Sequence, residues 1–115
     1  MADTAIDRAT FEALQQTAGA EFVRDLVDTF LTEAPLMLDE LRRALAAQDA
    51  DKFRRAAHSL KSNSNTFGAL RLGAIARELE LGGLPKANEN RGQPLDALVE
   101  EYSRVAAALT ELRHA

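Results

Sequence analysis

Phe53-Arg54-Arg55-Ala56-Ala57-His58-Ser59-Leu60-Lys61-Ser62-Asn63-Ser64-Asn65-Thr66-Phe67 is a stretch with two faces. An α-helix turns about 100° per residue, which places Ala57, Leu60, Ser64 and Phe67 within roughly 40° of Phe53. That face is apolar or small throughout and reads as the side turned to a core. His58 falls about 140° away, Lys61 about 80°, Asn65 about 120° and Ser62 about 180°. These four residues, at spacings of three, four and seven, share a polar face. The same helical period recurs on both sides of the stretch.

Upstream, Asp7 is placed to cap a short helix through Phe11 and Leu14 that ends near Gly19. From Ala20 an apolar stripe runs Phe22, Leu26, Phe30, Met37, Leu38, Leu41 and Leu45. Pro35 lies inside it and is expected to kink or break the helix, because it lacks an N–H and crowds the preceding turn. Asp49 or Asp51 starts the next helix, and Gly68 ends or bends it. Downstream, Leu72, Ile75, Ala76 and Leu79 mark a further helix. Gly82-Gly83-Leu84-Pro85 and the polar run from Asn88 to Gln93, closed by Pro94, read as a loop. A final helix carries Leu95, Leu98, Val99, Tyr102, Val105, Ala106, Leu109 and Leu112.

Long amphipathic helices cannot each bury a stripe alone. The expected fold is all-α, an antiparallel four-helix bundle with a short extra N-terminal helix, in a single domain spanning residues 1–115. The 115 residues, 46% hydrophobic and 28% charged, suit one globular core. With no cysteine, disulfides, thiolate metal sites and a cysteine nucleophile are excluded. The net charge of −4 and the absence of a basic stripe argue against nucleic acid as a partner. Arg42-Arg43 and Arg54-Arg55 are isolated pairs flanked by acids. No apolar run reaches membrane-spanning length and no leader pattern opens the chain, so a cytoplasmic protein is expected.

The two histidines lack metal-ligand spacing, and residues 55–58 read Arg-Ala-Ala-His rather than the Glu-x-x-His of bundle di-iron sites. No metal site is expected. Asp25, Asp28 and Glu33 read as a solvated face, and His114 as a residue suited to a helix C-terminus. The polar face around His58 is less easily dismissed. Ser62, Asn63, Ser64 and Asn65 are modest helix formers inside a helical pattern, and Lys61 sets a cation one turn from the ring.

His58, Leu60, Lys61, Ser64, Gly68 and Ala69 resemble the motif of the histidine-containing phosphotransfer family, the HPt domains of phosphorelays. Leu72, Ala76 and Arg77-Glu78-Leu79-Glu80 are similar to that family's next helix, and a weaker similarity covers almost the whole chain. The resemblance implies a phosphorelay intermediate in which His58 takes a phosphoryl group from a receiver-domain aspartate and passes it to another. It implies Lys61 as a stabilising charge and Glu80 as a hydrogen-bond partner of Nδ1 or part of the partner-facing surface, together with Ser62 and Asn65. Ser62 departs from the glycine that the family often has there, which bears on partner preference or rate.

By the same resemblance the expected partners are response-regulator receivers, including one carried by a hybrid sensor kinase. Mg²⁺ is expected from the receiver and no cofactor from this chain. The chain has no Walker or glycine-rich phosphate loop, so no ATP site of its own is expected, and a monomer suffices. Two rival readings are a docking module that transfers nothing and a chemotaxis-type phosphoacceptor fed by a kinase.

Overall fold

The computed structural model describes residues 5–84 and 93–114. Five helices follow one another: α1 Arg8–Ala18, α2 Ala20–Ala47, α3 Ala50–Thr66, α4 Leu70–Gly82 and α5 Gln93–His114. Helix α2 packs on α3, α3 on α4, α4 on α5, and α5 back on α2, while among the described residues the backbones of the diagonal pairs stay apart. This closed ring is the expected four-helix bundle, and α1 lies against α2 and α3 at one end. Among the described residues there is no strand, and no helix is long and apolar enough to cross a membrane.

Side-chain caps start two of the helices. The Asp7 carboxylate accepts from the Thr10 N–H at 3.1 Å and starts α1. Asp49 accepts from the Lys52 N–H at 3.1 Å and starts α3, which leaves Asp51 in the first turn. Each cap satisfies one of the orphan donors of a helix start.

Helix α2 differs from expectation in two respects. It runs through Pro35 without a break. Pro35 is exposed, so the hydrogen bond it forfeits lies on the solvent side of the helix and not in the core. The buried stripe is also shifted. Phe30, Ala34, Leu38, Leu41 and Leu45 face inward, and their phase runs back to Val23 and Val27. Phe22, one position off that phase, is 56% exposed. Leu26 and Met37 pack at the margin of the core.

The core is aliphatic with a small aromatic group at its centre. The Phe30 ring lies 5.3 Å from Phe67 and 6.0 Å from Tyr102, both tilted. Phe53, Ala57, Leu60 and Ser64 of α3 are fully buried, as the period required. On α5 the core positions are Leu95, Leu98, Val105 and Leu109, with Glu101 among them at 2% exposure. Its Oε1 meets Arg104 Nη1 at 2.8 Å and Arg71 Nε of α4 at 3.4 Å. Between Leu98 and Val105, at steps of three and four, the period already places residue 101 inward. An acid there needs cations from its own helix and its neighbour.

Asp28 is not simply solvated. It receives a two-pronged contact from the Arg113 guanidinium, Nη2 to Oδ2 at 2.9 Å and Nε to Oδ1, which ties α2 to α5. Of the loop expected from Gly82 to Pro94, Gly82 ends α4, Gln93 and Pro94 open α5, and residues 85–92 lie outside the described residues. Helix α5 begins at Gln93, so Pro94 stands in its first turn, where a missing N–H costs no intrahelical bond. The His114 side chain also lies outside the description.

The α3–α4 corner decides where the site sits. Gly68 has φ +86° and its carbonyl accepts from the Asp7 N–H at 2.8 Å. A Cβ there would stand 2.8 Å from the Asp7 carbonyl oxygen, a backbone atom. Gly68→Ala is therefore expected to destabilise the fold by about 1–3 kcal/mol through backbone strain and collision. Urea unfolding would show it, and an unchanged midpoint would contradict this account of the corner.

Candidate functional site

Helix α3 places His58 on the outer surface with its side chain 57% exposed, while Ala57 beside it is sealed in the core. Helix α4 runs back antiparallel and lays Glu80 against the ring. His58 Nδ1 and Glu80 Oε2 are 2.7 Å apart. The other oxygen of the same carboxylate, Oε1, is 2.9 Å from Lys61 Nζ. One carboxylate thus joins the histidine and the lysine, and both it and Lys61 are largely covered.

The chemistry of the three groups sets the protons. The Lys61 ammonium, and then the hydrogen bond from His58, hold the Glu80 carboxyl below the usual carboxylate range, against the opposing effect of partial burial. An ionised carboxylate only accepts, so Nδ1 must carry the proton it shares with Glu80. In the neutral ring the lone pair then belongs to Nε2, the nitrogen that Glu80 leaves free. The arrangement presents a nucleophilic nitrogen of fixed tautomer at the protein surface.

The other expected site residues divide. Ser62 is exposed on the same side of α3. Asn65 carries its amide across to α4, where a Cβ on Gly73 would collide with it. That contact lets α3 and α4 approach closely just below the site. Ser64 is fully buried and its hydroxyl has no hydrogen-bond partner among the described residues, in keeping with a position that needs smallness more than polarity. Lys61 points its ammonium at Glu80 and not freely into solvent. Periodicity alone had no means of pairing two helices and could not have joined Glu80 to Lys61. No group of three or more His, Cys, Asp or Glu side chains among the described residues could hold a metal ion.

Comparison with known proteins bears on the same arrangement. The family model for the Hpt domain matches residues 25–115. The chain belongs to the Hpt domain family. It is 32% identical over 114 residues to the sensor protein TorS of Escherichia coli strain K12, covering 97% of this chain and 11% of TorS. The crystal structure of histidine-containing phosphotransfer protein B, HptB, from Pseudomonas aeruginosa PAO1 superposes with a TM-score of 0.87 at 26% identity. That match covers 98% of this chain and 97% of HptB. This Hpt domain is accordingly a phosphorelay intermediate of two-component signalling.

The depressed Glu80 carboxyl has a consequence for stability. A carboxyl whose folded pKa lies below its unfolded value adds stability above the unfolded value and loses it as pH falls through the folded one. Thermal melts of the wild type and Glu80→Gln should therefore differ most at neutral pH, with the wild type more stable. The gap should close as the medium is acidified past the carboxylate range. A gap that widens on acidification would reverse the assignment.

Proposed function

We propose that His58 is the phosphoryl-carrying nucleophile of this Hpt domain. Its Nε2 attacks the phosphorus of a phosphoaspartate on a receiver domain. The N–P bond forms as the aspartyl O–P bond breaks, and the electron pair of that bond leaves with the aspartate carboxylate. The proton on Nδ1 stays with the ring, shared with Glu80, so the phosphorylated ring does not have to shed it. In the onward step a second receiver aspartate attacks the same phosphorus, and the ring departs as neutral imidazole.

Because phosphoryl transfer has a loose, in-line transition state, positioning and charge account for most of the rate. Glu80 fixes the tautomer. Lys61 supplies a positive charge within one turn of the ring. Ser62 and Asn65 flank the approach and contribute to the partner-facing surface. Acidic ligands on the receiver would hold a Mg²⁺, which would supply charge neutralisation at the phosphoryl group. Catalysis is thereby divided between two proteins, and this chain uses no ATP site of its own. Receiver domains, including one in a hybrid sensor kinase, are the expected partners, and the cytoplasm the expected compartment. Since His58 faces outward from a closed bundle, a single copy is enough.

The observation that carries this reading is an exposed histidine whose Nδ1 is held 2.7 Å from a carboxylate, leaving Nε2 open. Incubation with a panel of phosphorylated receivers and Mg²⁺ tests it. Acid-labile, base-stable phosphate should appear on the protein. Absence of such phosphate from every receiver, with the protein folded, would overturn the proposal.

A further inference from the structure

On the side of His58 away from Glu80, helices α2 and α3 enclose an open groove of about 380 Å³ lined by Glu40, Arg43, Lys52, Arg55, Ala56 and Ser59. It carries three cations against one carboxylate in a chain whose net charge is −4. Of the acids around it, Asp39 neutralises the groove's own Arg43, and the others are engaged elsewhere. Asp39 pairs with Arg43 at 3.1 Å, Asp51 pairs with Arg54 at 2.8 Å, and Asp49 caps α3. Lys52 and Arg55 have no ion-pair partner among the described residues. Glu40 is the remaining carboxylate of the lining and offsets one of these charges.

The groove adjoins the reacting nitrogen. Arg55 stands one turn before His58 and about 60° from it around the helix. Helical side chains lean toward the N-terminus, so the His58 ring extends over the turn that bears Arg55. A partner seated on Nε2 would meet this groove with its own surface.

We propose that the groove is a docking contact for an acidic segment of the receiver domain that exchanges a phosphoryl group with His58. This rests on the phosphorelay reading above. Charge complementarity identifies the occupant. Lys52 and Arg55, offset only in part by Glu40 in a wide, solvent-open groove, suit carboxylates on a protein surface, and such contacts act on encounter and partner choice more than on the chemical step. Lys52 and Arg55 thus select among receivers, while His58, Lys61 and Glu80 serve any receiver that docks.

The test measures transfer from a phosphorylated receiver over a range of receiver concentrations for the wild type, Lys52→Glu, Arg55→Glu and the double variant. The receiver is one that labels the wild type. Arg24→Glu and Arg24→Glu with Arg8→Glu, both on exposed surface away from the groove, match the charge change of the single and double variants. For the double variant the KM for receiver should rise about tenfold at low salt, with kcat within about twofold, and the difference should shrink as salt is added. Phosphoramidate, too small to need docking, should label His58 equally in all variants.

An unchanged KM overturns the proposal. So does a fall in kcat at unchanged KM, which would place Arg55 on the reacting group instead. Equal losses in the charge-matched variants would reduce the effect to overall charge and overturn it too. If no receiver labels the wild type, the phosphorelay reading itself fails, a result distinct from any of these.

Discussion

His58→Gln should reduce phosphorylation by receivers to background while leaving the fold intact. The side chain is 57% exposed and contributes nothing to the core, so stability should change by no more than about 0.5 kcal/mol. Glutamine is of similar reach and its amide can still donate to Glu80, but it has no ring nitrogen to attack phosphorus. The loss should appear in the rate of labelling and in its extent, and raising the receiver concentration should not restore it. The chain has one other histidine, His114. Acid-labile label that persists in His58→Gln and maps to His114 would transfer the role to the last turn of α5 and overturn the assignment of His58.

The largest expected effect on stability lies five residues earlier. Phe53 is fully buried where α3 enters the bundle, and Phe53→Ala should cost about 3–5 kcal/mol, from lost transfer energy plus the cavity left behind. Since domains of this kind are stable by only about 5–15 kcal/mol, the variant should melt much earlier and unfold at far lower urea. Phe22→Ala provides the contrast. The same atoms are removed from a ring that is 56% exposed, and the expected change is within about 0.5 kcal/mol. Equal losses at the two positions would mean that the phase of the α2 stripe has been misassigned.

These two phenylalanines also show where sequence was informative. Along α3 the period placed Phe53, Ala57, Leu60, Ser64 and Phe67 correctly, because they are either bulky or conspicuously small, and it missed the buried Ala56 at the edge of that face. Along α2 the bulky residues misled. Phe22 drew the stripe toward itself, whereas Val23, Val27 and Ala34 hold the true phase. A hydrophobic residue outside the core is common, since the surface of a folded protein is largely apolar. Pro35 misled in a related way. Its local penalty is real, but the penalty falls on an outward face, and packing of the inward face on both sides keeps α2 continuous.

The site was legible to a similar degree. That His58 faces outward followed from angles on one helix. That Glu80 reaches Nδ1 was suggested by family resemblance and not by spacing, since 22 residues and a corner separate the two. Its simultaneous hold on Lys61 was not foreseen, because a helical wheel describes one helix and the pairing depends on the register between two. Asp28 illustrates the same limit. It looks solvated on its own helix, and only the return of α5 brings Arg113 to it.

The site's dependence on two helices has a consequence for how the protein fails. His58 and Lys61 belong to α3 and their common partner to α4, joined through the tight corner at Gly68 and the close passage of Asn65 over Gly73. Proteins open locally well before they unfold as a whole. Any opening that lifts α4 by more than a hydrogen-bond length frees the ring to exchange tautomers while most of the core remains packed. On the proposed role of His58, opening of the α3–α4 hairpin is therefore expected to lower the rate of transfer before the molecule unfolds as a whole.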